Sequence, residues 1–537
     1  MRWQIDRDKT SHVDTFVIDG LPPDEQLPEL VDVPELSYPA RLNAAAELLG
    51  GAISRGFGTN SALVDHENCW NYNELDAWSN RIANVLVDVH GIVPGNRVVL
   101  RGVNSTWMVA AWFAVLKAGA VAVATMPMLR EVELQKIYST ARPTVALSEY
   151  DLDGPLRVFA DVPVETWGPS GTLAELMADA SPDFSAIDTY STDPALLGFT
   201  SGTTGVPKAT IHFHRDLLAV ADSFQTVLRA GPDDVFVGSP PLAFTFGLGG
   251  LVLFPTRVGA STAFASTPGP EGLAACIAQH RATVCFTAPT AYKAVLDLDP
   301  PVDLSSLRRC VSAGETLPLR TYESFLERTG LQLIDGIGAT EMLHIFISAA
   351  DDDIRPGSTG KPVLGFEAQV IDDDGEPVSD GTVGRLAVKG PLGCRYLSDA
   401  RQQEYVVNGW NVTGDAFMRD SDGYFWYQAR IDDMIVSSGY NIAGPEVEEA
   451  LLSHPAVAEV GVFGSPDPDR GSLVRAVVRL ADGFEASDQV RRELQEYVKA
   501  SIAPYKYPRV IDFVADPLPK TATGKLQRKM LPGLVSS

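Results

Sequence analysis

The sequence predicts an α/β protein: a large N-terminal domain of layered α/β subdomains plus a small β subdomain, followed by a small α+β domain at the C-terminus. Three observations predict it. Helix-period and strand-period apolar patterns alternate through the first part of the chain, as α/β layers require. Past Gly360, short apolar runs around an Asp374-Gly375 turn replace them, which is hairpin texture. At Arg430-Ile431-Asp432-Asp433 the texture changes again, so domains spanning 1–431 and 432–537 are expected.

The opening stretch, to about residue 40, is rich in Pro, Asp and Glu and reads as an extended arm. Leu75, Trp78, Ile82, Leu86 and Val89 recur at helical spacing, which predicts a helix over 73–89 capped by Asn73. Strand 97–101, helix 104–118 and strand 121–125 follow, and the alternation resumes with strands 284–286 and 309–312 around a helix near 292–296. The uncharged run 238–256 holds too many glycines and prolines to cross lipid and reads as a buried loop-and-helix segment. Strands 368–371 and 384–389 form the expected hairpin unit. In the last domain Pro445 opens a helix to Leu452, since proline suits a first helical turn. Strands 457–463 and 474–480 and a helix over 487–502 complete it, with no internal repeat.

A net charge of −26 repels nucleic acid and anionic lipid, so neither is expected as a partner. The tail from Lys499 onward reverses the sign, with 7 basic and 2 acidic residues, and suits a phosphorylated ligand as well as solvent. The 5 cysteines are widely spaced and read as reduced, mostly buried thiols. With no apolar leader in MRWQIDRDKT, a cytoplasmic protein is expected, as monomer or homodimer. His212 and His214 alternate as on one strand face, but no third metal ligand is near in sequence.

The strongest motif is Thr200-Ser201-Gly202-Thr203-Thr204-Gly205-Val206-Pro207-Lys208. Glycines let backbone N–H groups approach an anion, hydroxyls add donors and lysine adds charge, all of which suits a polyphosphate. The spacing of Gly202, Gly205 and Lys208 is not that of a Walker loop. This string resembles the phosphate loop of the acyl-adenylate-forming superfamily, which includes the acyl-CoA synthetases. Further strings resemble that family in its order: Ser312-Ala313-Gly314-Glu315, Gly336-Ile337-Gly338-Ala339-Thr340-Glu341, Thr413-Gly414-Asp415, Arg430-Ile431-Asp432-Asp433, Gly439-Tyr440-Asn441-Ile442 and Pro519-Lys520-Thr521-Ala522-Thr523-Gly524-Lys525.

The resemblance implies ATP, Mg²⁺ and coenzyme A as ligands and a C-terminal domain that moves between two half-reactions. Adenylation builds charge on phosphoryl oxygens, so it calls for cations and donors. By position, Ser201, Thr203, Thr204 and Lys208 would hold the β- and γ-phosphates, with Thr200, Gly202 and Gly205 in the same ATP-binding string. Thr340 would bind the α-phosphate and Glu341 the magnesium. Ser312, Ala313, Gly314, Glu315, Asp335 and Gly336 fall on the nucleotide side. Asp415 would accept both ribose hydroxyls, with Arg430 beside it. Lys525 would bridge the attacking carboxylate and the α-phosphate. Asp432 matches the pivot. Ser437, Ser438, Gly439 and Tyr440 would line the pantetheine entry, and Arg475 and Lys506 would meet CoA phosphates.

The strings Ala243-Phe244-Thr245-Phe246-Gly247-Leu248-Gly249 and Asp335 to Phe346 look most like those of benzoate and 2-aminobenzoate CoA ligases. That likeness implies a small aromatic carboxylate, lined by Thr245, Phe246, Gly338, His344 and Ile345. The alternative is another small acid, medium-chain or aryl, passed to CoA or to a carrier protein. Against a catalytically silent ATP sensor stand Lys208, Glu341, Asp415 and Lys525, all in place.

Overall fold

The computed structural model describes residues 5–200, 207–437, 440–467, 471–502, 506–520 and 526–535. The chain divides into two compact units. One comprises Met1–Leu317, Thr321–Ala368 and Val388–Val412; the other Pro318–Arg320, Gln369–Ala387 and Thr413–Ser537.

The larger unit is built on two sheets. A six-stranded sheet runs in the order Val164–Trp167, Val145–Glu149, Arg97–Arg101, Val121–Thr125, Pro194–Thr200, Lys208–Phe213. Its pairs are parallel except the last, Pro194–Thr200 against Lys208–Phe213. Arg97–Arg101 and Val121–Thr125 are buried along their whole length, the condition of a parallel sheet covered on both faces. Helix Thr106–Lys117 is buried nearly all round, and Ser105 Oγ caps it by accepting from the Met108 N–H.

Helix Tyr72–Asn84 continues through a wider turn at Val85–Val89, so the expected far end holds. Its cap is Asn71 rather than Asn73. Asn71 accepts from the Glu74 N–H while the Glu74 carboxylate accepts from the Asn71 N–H, and that box needs the acid three residues on.

The nine-stranded sheet runs Cys69–Asn71, Ser61–Val64, Ser261–Ala263, Val235–Gly238, Val284–Thr287, Arg309–Ala313, Leu333–Gly338, Ile345–Ser348, Lys361–Pro362. Its middle strands are parallel, and Leu333–Gly338 pairs antiparallel with Ile345–Ser348 across an irregularity at Ile337/Gly338. The run expected to be buried loop and helix forms two short helices, Thr245–Leu248 and Phe254–Val258, joined through Gly249–Leu253.

In the smaller unit, Val457–Asp467 pairs antiparallel with Gly471–Leu480, which takes Val510–Val514 in parallel on its other side. Helices Gly444–Leu452 and Asp488–Ser501 cover this sheet, with Val447, Leu451, Val462, Ala476, Leu494 and Val498 in the core. Proline stands in the first turn of one helix and Ser487 caps the other. All 5 cysteines are free thiols, Cys69 exposed and the rest buried. Among the described residues no helix is long and apolar enough to cross a membrane.

Candidate active site

The expected phosphate side is organised by strand Lys208–Phe213. Its partner strand ends opposite it, with Thr200 in register with Lys208. The intervening Ser201, Gly202, Thr203, Thr204 and Gly205 lie outside the described residues. The other edge of the strand is met by residues 395–397: the Ile211 N–H donates to the Arg395 carbonyl at 2.7 Å and the Leu397 N–H to the Ala209 carbonyl at 2.9 Å. This brings the Tyr396 hydroxyl to 3.1 Å from Lys208 Nζ. The same hydroxyl donates to Glu341 Oε1 at 2.5 Å.

Thr340 is fixed from two sides. His212 Nε2 lies 2.8 Å from the Thr340 carbonyl. At position 198 only glycine leaves room, since a Cβ there would stand 2.8 Å from Thr340 Cγ2. Lys208, Thr340 and Glu341 thus come together, and His212 and Tyr396 join them without having been picked out as site residues. Neither belongs to a recognisable motif; the available signal was period-two alternation, which sets Lys208, Thr210 and His212 on one face. His212 and His214 do not share a face, because the strand ends at Phe213 and His214 begins a helix. His214 Nδ1 instead accepts from the Ala44 N–H at 3.1 Å.

Among the described residues no group of three metal-ligating side chains occurs. Glu341, a single buried carboxylate linked to Lys208 through the Tyr396 hydroxyl, fits a cation that takes one carboxylate and otherwise phosphate oxygens and water. Magnesium is that kind of cation.

Ser312 and Asp335 are register partners on neighbouring parallel strands. Ser312 Oγ and Asp335 Oδ1 are both buried without a hydrogen-bond partner among the described residues. Burial pushes the Asp335 carboxyl up to about 7. Two orphaned polar atoms toward the carboxyl ends of parallel strands sit where α/β sheets bind ligands. The chain then turns sharply at Gly314, whose φ of 89° suits glycine, and Glu315 accepts from Thr290 Oγ1 at 3.2 Å. Gly336 is buried against Ile345, leaving no space for a Cβ.

The expected acyl pocket is an aromatic cage around His344. Ring centroids of Phe254, Phe224, Phe246 and Phe286 stand 4.6, 5.2, 5.7 and 6.3 Å from the imidazole. Gly249 and Gly250 make this possible: a Cβ on the first would lie 2.3 Å from His344 Cδ2, and on the second 2.6 Å from the Phe286 ring. The polar group that the His344 ring meets is the Phe246 backbone, short of full hydrogen-bond geometry at either nitrogen. Burial lowers its pKa to about 3, so the ring is neutral. Thr245 and Phe246 open the short helix beside the cage. Gly338 sits against the His344 carbonyl, 2.6 Å from where its Cβ would be, and Ile345 is buried next to His344.

In the smaller unit, Asp415 and Arg430 face each other in register across an antiparallel pair, Nη1 to Oδ1 at 3.0 Å. Arg430 Nη1 also donates to the Thr413 carbonyl at 3.3 Å. Gly414 makes the turn with φ 76°. Asp432 lies in the short turn Ile431–Asp433, and Ser437 is in register with Tyr440 in a hairpin. Ser438, Gly439 and Lys525 lie outside the described residues. Lys506 Nζ meets both Glu446 oxygens, at 2.5 and 2.6 Å, and Arg475 meets both Asp512 oxygens, at 2.7 and 3.2 Å. Both cations are therefore engaged in ion pairs here.

Three buried histidines predict the acid limb of stability. Burial lowers His212 to about 4 and His214 and His344 to about 3, from an ordinary 6.5. Between those values the unfolded chain binds protons that the folded chain refuses, so stability present above pH 6.5 is lost as pH falls. Asp335 and Glu448, raised by burial, act in the opposite sense and do not cancel three histidines. Each uncancelled histidine contributes about 1.4 kcal/mol per pH unit as an upper bound. The melting temperature should fall steadily from pH 7 to pH 4.5; a flat profile would show these rings to be hydrated.

Residues 53–395 match the AMP-binding enzyme family, and residues 446–525 match the AMP-binding enzyme C-terminal domain. The chain belongs to this family of adenylate-forming acyl-CoA synthetases. In particular, it is 34% identical to the benzoate–CoA ligase of Thauera aromatica over 92% of this chain and 96% of that one. It also resembles the solved anthranilate CoA ligase AuaEII in complex with anthranoyl-AMP, at TM-score 0.87 and 32% identity over 93% of this chain and 98% of that one. The benzoate CoA ligase from Burkholderia xenovorans LB400 superposes at TM-score 0.83, 32% identity, over 91% and 99%.

Proposed function

We propose that the protein is an ATP-dependent aryl-CoA ligase whose preferred acid is 2-aminobenzoate, with benzoate as a second substrate. A carboxylate oxygen of the acid attacks the α-phosphorus of ATP and pyrophosphate leaves. The CoA thiol then attacks the acyl carbonyl, and AMP leaves. Lys208 and the loop before it hold the β- and γ-phosphates, Thr340 an α-phosphate oxygen, and Asp415 with Arg430 the ribose. Bound at Glu341, magnesium would neutralise phosphate charge. Lys525 supplies the cation between acid and α-phosphate. The lid, residues 432–537, turns about Asp432 between the two steps, so that Ser437 to Tyr440 receive the pantetheine and Arg475 and Lys506 exchange their carboxylates for CoA phosphates.

The observation that carries the choice of acid is the neutral His344 ring, set among four phenylalanines with only the Phe246 backbone as a polar neighbour among the described residues, so that one ring nitrogen is left to accept. Phe246 is the partly exposed member of the cluster, and a flat apolar ring would stack on it. An ortho-amino N–H can donate to a neutral imidazole nitrogen, which benzoate cannot do. AMP release is to be measured with benzoate, 2-aminobenzoate, acetate and octanoate, with and without CoA. His344→Phe should lower kcat/KM for 2-aminobenzoate about tenfold to a hundredfold and leave benzoate within about threefold, as expected for one buried donor left unpaired. An equal loss for both acids would count against the amino contact, and turnover of octanoate alone would refute an aryl substrate.

A further inference from the structure

Lys208 and Glu341 carry opposite charges in one corner of the larger unit, yet they do not form an ion pair with each other. The Tyr396 hydroxyl stands between them, 3.1 Å from Nζ and 2.5 Å from Oε1. The amine also lies over the tyrosine ring, 4.7 Å from its centroid. The attraction between an amine and a carboxylate strengthens as water is excluded. With only a hydroxyl separating them, this pair would close on itself once the hydroxyl was gone. The lysine would then no longer face phosphate, nor the carboxylate a cation.

The tyrosine is held so that its hydroxyl cannot drift. Its backbone N–H donates to Gln402 Oε1 at 2.9 Å, and Gln402 Nε2 donates to the carbonyls of Gln26 at 2.9 Å and Cys394 at 3.0 Å. The ring packs edge-on against Tyr405 at 5.8 Å. The preceding Arg395 is buried on Asp216 at 2.7 Å. These contacts fix the backbone and the ring from which the hydroxyl projects.

We propose that Tyr396 is a positioning residue whose hydroxyl keeps Lys208 and Glu341 apart, accepting from one and donating to the other. The lysine keeps its remaining donors for the nucleotide phosphates, and the carboxylate keeps an oxygen for the divalent cation. This rests on the adenylation reading and adds to it the group that keeps the two charges from cancelling.

The test is ATP binding by calorimetry in EDTA, without acid or CoA, on the full chain and on Tyr396→Phe, Glu341→Gln and the double variant. Tyr396→Phe should weaken metal-free ATP binding about tenfold, because the released carboxylate captures the lysine. Adding Glu341→Gln should restore it, and should do so by about tenfold more than Glu341→Gln strengthens binding in the unaltered protein. Two substitutions that act independently, within about twofold, would overturn the assignment. A collapsed melting transition of Tyr396→Phe that persists in the Glu341→Gln background would overturn it as well, since the residue would then be a packing element; spacing predicts a normal melt there. If the unaltered protein binds no ATP, it is the adenylation reading that fails.

Discussion

Lys525→Ala is expected to cut adenylate formation by about a hundredfold to a thousandfold, the usual cost of deleting one group aimed at charge that builds in the transition state. The change should spare thioester formation from pre-made acyl-adenylate. The reason is local. In the first step a carboxylate approaches a phosphate, two anions meeting, and an ammonium between them relieves the repulsion of both. In the second step a thiol attacks a neutral carbonyl and AMP departs, with no comparable meeting of anions at that position. The loss should be of chemistry and not of fold. The residues that flank 521–525 are tied together by the bridge between Lys520 and Leu526, by the Gln527 N–H on the Pro519 carbonyl at 2.9 Å, and by Gln527 Nε2 on the Lys520 carbonyl at 2.8 Å. Leu518 and Leu531 are buried on either side of them. Pyrophosphate release and single-turnover CoA transfer, measured separately, check the prediction; equal losses in the two would remove Lys525 from its assigned role.

What the sequence made legible follows from how local each signal is. Strands 97–101 and 121–125 and the capped helix between them were readable because each is decided by neighbours within a few residues. The cap at Asn71 was missed because the periodicity placed the start at Asn73, whereas the box with Glu74 depends on one specific three-residue spacing. The histidine pair was misread for a related reason: alternation holds only while the strand lasts, and it ends between them. Tyr396 was invisible because its partners are 188 and 55 residues away, joined through an edge pairing that no local pattern encodes. Gly249 closes the pocket string and Gly250 lies in the uncharged run 238–256, but neither pattern shows them as the space that admits His344 and Phe286. The pairing of Lys506 with Glu446 and Arg475 with Asp512 was likewise hidden, since each joins residues from separate elements. Motifs therefore point to the chemistry, and only the fold gives the supports around it.

Asp415→Ala should raise the KM for ATP about a hundredfold or more. Hydrogen bonds to a charged acceptor contribute about 1.5–3 kcal/mol each, and the ribose diol offers two. Asp415 is set for this by its backbone. The left-handed turn at Gly414 orients it, and the Asp415 N–H reaches Thr413 Oγ1 at 3.3 Å. Arg430, in register across the strand pair, holds one carboxylate oxygen at 3.0 Å. Loss of the carboxylate should cost little stability, because the arginine is half-exposed and regains water. Asp415→Asn should fall between, since an amide keeps one acceptor and turns the other into a donor that must face a hydroxyl. The nucleotide supplies the matching deletion. The unaltered enzyme should discriminate against 2′-deoxy-ATP about tenfold, and Asp415→Ala should lose that discrimination, because a missing hydroxyl cannot matter to a missing acceptor. If the alanine variant still rejects the deoxynucleotide as strongly as the unaltered enzyme, some other group reads the ribose, and the pair with Arg430 is only a clamp on the strands.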